Sequence, residues 1–228
     1  MNAPNKAESA HLVGSAPFDT TEDMFRFTME YMGEHIKRLP DGEVGERNYW
    51  IRWQYQRIGQ SQQMEVEEKD NIYVPLPPYH ILSGISDAED IEFPNLGYGD
   101  AAIESYATFE DLVRKEVIPE RMRFMIGLPT PLSVASFYVV PKDRDMFQQA
   151  YGRALGQELK KIIESVPAEK LAIQWEVVTE FALLEGIVEN HIDGDLMNFI
   201  TSHVASLVDL VPERVDAGLH LCYGDSGH

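Results

Sequence analysis

The chain opens with a polar stretch and then alternates short apolar runs with amphipathic ones. Residues 1–10 read as a loose tail, and residues 11–14 (His-Leu-Val-Gly) as a first short strand. Asp19, Thr20, Thr21 and Glu22 carry the oxygens that cap free N–H groups and suit a helix dipole, so a helix is expected after them. Its apolar stripe would be Met24, Phe25, Phe27, Thr28, Tyr31 and Met32. A second strand over 35–39 runs into the turn Pro40-Asp41-Gly42-Glu43, and an aromatic helix follows over 47–59. Residues 61–102 form a long connection punctuated by prolines and glycines, with one strand over 72–74. The pattern then predicts a helix over 108–117, a strand over 123–128 closed by Pro129-Thr130-Pro131, and an amphipathic helix over 143–165 with Pro167 beyond its end. A strand over 171–175, a helix from about 178, a helix over 194–210 stopped by Pro212 and a strand over 217–222 complete the series.

Strands separated by helices imply a parallel sheet with helical crossovers, either an open doubly wound sheet or a (β/α)8 barrel. Gly-x-Gly-x-x-Gly and the P-loop signature are both absent, so nothing favours a nucleotide-binding open sheet. Polar residues collect at strand C-terminal ends: Ser15, Asp41, Glu43, Thr130, Gln174, Glu176, His220 and Cys222. Barrels keep their active sites there, so the expected fold is a (β/α)8 TIM-barrel type spanning 11–228 as one domain. About six βα units are visible where a closed barrel needs eight. The barrel is therefore read as incomplete: a longer natural chain or a partner such as a second copy closes it, unless the strand count is short.

Composition narrows the function. With 38 acidic against 19 basic residues, the formal charge of −19 disfavours nucleic acid and anionic membranes. No stretch reaches the roughly 20 apolar residues of a membrane span, and the N-terminus lacks a secretory apolar region, so a cytoplasmic protein is expected. The single cysteine excludes an internal disulfide framework.

Three groups of residues carry candidate chemistry. In a strand, His220 and Cys222 point the same way, and imidazole with thiolate is a favoured zinc pair. A buried cysteine beside a hydrogen-bonded histidine explains the same dipeptide spacing. The glycine-rich segment 223–228, with Asp225 and His228, either extends that site or is turn chemistry. In Gly42-Glu43-Val44-Gly45-Glu46-Arg47, Glu43 at a strand end suits a substrate ammonium group or general-base work, whereas Glu46 suits a helix start. Gln174 and Glu176 share a strand face, with an acidic helix start as the alternative for Glu176. The Trp50 and Trp53 helix is expected to serve the core rather than a ligand.

In order, these segments resemble the catalytic barrel of cobalamin-independent methionine synthase, in the superfamily shared with uroporphyrinogen decarboxylase. Val13-Gly14-Ser15-Ala16-Pro17 resembles its IGSxP segment, and Asp41 to Asn48 resembles HGExERND. Gly127-Leu128-Pro129-Thr130 resembles GPVT, Gln174-Trp175-Glu176 resembles the start of QIDEPA, and His220-Leu221-Cys222-Tyr223 resembles HMCY. The shared order covers about 210 residues. The resemblance implies that His220 and Cys222 bind zinc, which activates a thiol toward a methyl or alkyl donor. It also implies that Ser15, Glu43 and Glu176 hold the amino-acid part of that thiol, with Thr130 and Gln174 lining the same pocket and Glu43 and Glu176 as the catalytic carboxylates. The family's remaining zinc ligands, a Glu and a Cys, follow the HMCY strand at positions beyond His228. Glu at 176 replaces the family's Asp, and no folate-binding half precedes the barrel, which points to a relative acting on another small substrate. A metal-free decarboxylase-like enzyme would instead need arginines for substrate carboxylates, Arg38 and Arg47 being the candidates. A non-catalytic binding protein on a degenerate barrel is the third reading.

Overall fold

The computed structural model describes residues 9–68, 75–190 and 192–222. In chain order its elements are α1 (Thr21–Met32), β1 (Arg38–Pro40), α2 (Trp50–Ile58), β2 (Met64–Val66), β3 (Tyr79–Ile81), α3 (Tyr98–Arg114) and β4 (Arg123–Pro129). There follow α4 (Pro131–Tyr138), α5 (Arg144–Ser165), β5 (Leu171–Val177), α6 (Thr179–Leu184), α7 (Leu196–Val208) and β6 (Asp216–Leu221). Strands β1, β4, β5 and β6 form one parallel sheet in that order, and β2 and β3 form an antiparallel pair. The fold is therefore α/β with a parallel sheet and helical crossovers. No described helix is long and apolar enough to cross a membrane.

The two central strands explain themselves by burial. β4 and β5 are covered on both faces, as parallel strands under helices must be. Leu171, Ile173, Trp175 and Val177 alternate into the helix-side core with Phe124, Ile126 and Leu128, all of them buried. The other face of β5 carries Ala172, Gln174 and Glu176, so period-2 geometry separates an apolar layer from a polar one. β6 is an edge strand, and its Leu219 and Leu221 remain exposed.

Several expectations change. Residues 11–14 are not a strand: Ala10 N–H bonds His35 O and Ala16 N–H bonds Gly42 O, so the segment lies beside β1 without a ladder. The Val13 carbonyl is taken by the Gln174 side chain instead of a neighbouring backbone N–H. In α1 the buried face is Met24, Phe25 and Thr28, while Phe27 and Tyr31 are exposed and meet in a tilted ring contact, Phe27 also meeting Phe18. The strand expected over 72–74 lies outside the described residues, and the connection around it holds β2 and β3 instead. Pro129-Thr130-Pro131, expected only to close a strand, also starts helix α4: Thr130 caps it through Ser133 N–H, with Pro131 at its first turn. Trp53 is buried against Tyr98, as expected of a core residue.

Helix α3 begins ten residues before the position that its periodicity suggests. Its start has no local side-chain cap, and Gly97 there is left-handed at φ +85°. The free N–H groups of Leu96, Gly97 and Gly99 are met by the buried carboxylate of Glu158 from α5, at 3.1, 3.3 and 2.5 Å. Leaving such buried donors unpaired is costly, so Glu158→Ala should lower unfolding free energy by about 2 kcal/mol. Chemical denaturation checks this, and an unchanged midpoint would show that water replaces the carboxylate.

Candidate functional site

The polar face of β5 meets the C-terminal ends of its neighbours in register. Gly127 of β4 and Gly218 of β6 flank Gln174, and Pro129 and His220 flank Glu176. The two glycines leave room for the long side chains between them. Gln174 Nε2 donates to the Val13 carbonyl at 2.6 Å and to Glu176 Oε1 at 2.7 Å, while its Oε1 lies 2.7 Å from His11 Nε2. Because a backbone carbonyl only accepts, Val13 fixes the amide with its NH2 toward Glu176, and His11 must be the donor at Nε2. Glu176 Oε2 is hydrogen-bonded to His220 Nδ1, which leaves the Nε2 of that ring for other partners.

Glu43 reaches the same face from the turn after β1. Ser15 Oγ donates to its carboxylate, and the Gly14 Cα passes so close that a Cβ there would touch both carboxylate oxygens at 3.6 Å. At Gly127, a Cβ would stand 3.2 Å from Glu176 Oε1 and 3.5 Å from Glu43 Oε1. The two carboxylates thus converge over one glycine. Glu43 is one of the described non-glycine residues with a left-handed backbone, at φ +45°, following Gly42 at +81°. A side-chain-bearing residue is disfavoured there, and such conformations collect at functional sites.

The electrostatics follow from this crowding. Burial raises the Glu43 pKa to about 7; the Ser15 hydrogen bond and Arg47 oppose the rise, and the charges of Asp41 and Glu176 add to it. Burial also raises Glu176, against the hydrogen bonds from Gln174 and His220.

Ser15, Glu43, Gln174, Glu176 and His220 are therefore brought together as the sequence suggested. Thr130 is not among their contacts. Its buried hydroxyl caps α4 and bonds Ser133 Oγ, which in turn donates to the buried Glu180. Cys222 follows β6 and is half-buried, its N–H bonded to Val177 O. Among the described residues, no group of three or more His, Cys, Asp and Glu side chains is placed to hold a metal ion. Asp225 and His228 lie outside the described residues. Sequence reasoning missed His11, which falls in a segment that read as strand, and Gly127, which read as part of an apolar run. No protein-family model, no curated protein and no solved structure matches the chain.

Proposed function

We propose that the chain is an incomplete barrel related in design to cobalamin-independent methionine synthase, and that it binds a small amino-bearing thiol at its strand ends for methyl or alkyl transfer. The convergence of the Glu43 and Glu176 carboxylates over Gly127 carries this reading, since two acids around one small space call for a cationic group between them. Glu43, with Ser15 bonded to it, would hold the ammonium group. Glu176 has both oxygens engaged by Gln174 and His220, so its role falls on the imidazole as much as on the ligand.

Two features of the sheet support a barrel wall over an open doubly wound sheet. The strand order follows the chain order, without the reversal that makes a doubly wound switch point. Arg38 of β1 also pairs with Asp216 of β6 at 2.7 Å, although two strands intervene. In a flat sheet those backbones would lie about 14 Å apart, so the pair supports a sheet curled toward closure.

For zinc, the donor set fits in part. Glu176 on Nδ1 orients His220 as carboxylates orient metal-bound imidazoles, and Cys222 supplies a thiol two residues on. His220 and Cys222 would hold the ion, whose contribution is to deprotonate the substrate thiol at neutral pH. The decarboxylase-like reading loses ground: Arg38 sits at the opposite, N-terminal end of the sheet, and Arg47 is engaged by Asp41 at 2.6 Å.

Metal analysis of protein purified in zinc-containing buffer tests the proposal. One zinc per chain, lost in Cys222→Ser, is expected. Metal-free protein that still binds amino thiols would transfer the site to the non-catalytic reading.

A further inference from the structure

The sequence places Asp41 among the polar residues at strand ends without giving it a role; in the fold the residue is 2% exposed and both carboxylate oxygens are used. Oδ1 accepts the backbone N–H of Glu43 at 3.1 Å, the side-chain turn that aspartate makes two residues on. Oδ2 accepts Ser105 Oγ from α3 at 3.2 Å and pairs with Arg47 Nη1 at 2.6 Å. One buried group thus ties the left-handed turn to a helix behind it and to Arg47, an arginine whose charge acts on Glu43.

We propose that Asp41 is a positioning residue of the site, the anchor that holds the Glu43 backbone left-handed and keeps the Arg47 guanidinium from neutralising the Glu43 carboxylate. A helix-capping role does not explain these contacts, because the N–H it receives belongs to Glu43 and precedes the first helical turn at Gly45–Tyr49. The groups bearing on the Glu43 carboxyl include Ser15 from the segment beside β1, Asp41 from its own turn, Arg47 from the helical turn that follows, Tyr98 from the start of α3 and Glu176 from β5. Of these, Asp41 disfavours the ionised form and Arg47 favours it. Removing either partner should therefore shift Glu43 in opposite directions.

The inference rests on Glu43 belonging to the proposed site, but its test needs no ligand, so its failure is distinguishable from failure of the thiol chemistry. Carbon-13 NMR of glutamate-labelled protein, with Glu43 assigned by its loss in Glu43→Gln, gives the Glu43 midpoint. Asp41→Asn keeps an acceptor for the Glu43 N–H and removes the charge, so the midpoint should fall by about one pH unit from its value near 7. Arg47→Met should raise it. Thermal unfolding of both variants measures the structural contribution separately. Midpoints that stay at the parent value in both variants, or move in the same direction, would overturn the proposal and leave Asp41 a structural anchor alone.

Discussion

Glu43→Gln should weaken binding of an amino-bearing thiol at pH 8 by roughly thirtyfold to several thousandfold, the cost of about 2–5 kcal/mol for losing one partner of a buried charged contact. At that pH the Glu43 carboxyl, with its midpoint near 7, is mostly ionised. Glutamine preserves the shape and can still accept from Ser15 Oγ, so the loss reports charge rather than packing. Calorimetric titration of parent and variant with the same amino thiol reads it. Equal affinities would return Glu43 to the role of a turn residue before a helix.

The same substitution should have the opposite effect on stability. The folded chain holds the Glu43 proton up to about pH 7, whereas the unfolded chain releases it near 4.5. Between those values the native state binds more protons than the unfolded state, so the contribution of Glu43 to stability falls as pH rises. A shift of this size amounts to about 3 kcal/mol across the window, fully present below pH 4.5 and gone above pH 7. Urea denaturation from pH 4 to 8 should show the parent losing stability relative to Glu43→Gln across that window and running parallel outside it. Parallel curves throughout would mean that Glu43 titrates as it does in an unfolded chain. A residue that costs stability at working pH, in a disfavoured backbone conformation, is what a functional carboxylate looks like energetically.

How much of this was legible depends on the range of the interaction that fixes each element. α5 and the strands β4 and β5 were readable because their signals are local: helical periodicity, a proline stop and continuous apolar runs. The early start of α3 was not, because its cap is Glu158, some sixty residues away in the chain. Residues 11–14 look like a strand by composition, but the Gln174 amide takes the acceptor that a ladder would use. α4 had a readable signature in Thr130-Pro131 that the apolar run before it obscured.

The site divides in the same way. Period-2 alternation alone places Gln174 beside Glu176 and His220 at the strand ends. Their convergence with Ser15 and Glu43 depends on strand order and register, which short motifs suggest only through their sequence. The conformation of Glu43 depends on Asp41, whose importance appears only when α3 delivers Ser105 behind it. Thr130 shows the reverse: a hydroxyl at a strand end that serves the next helix instead of the carboxylate cluster.

The central claim is that Glu43 meets the ammonium group of the ligand. Calorimetry with a thioether amino acid, which has no acidic thiol, tests it in buffers of different ionisation enthalpy at pH 7. A Glu43 carboxyl half-protonated in the free protein must give up its proton to pair with a cation, so the parent should release about half a proton per ligand bound and Glu43→Gln none. No release from the parent, or the same release from both proteins, would contradict the account.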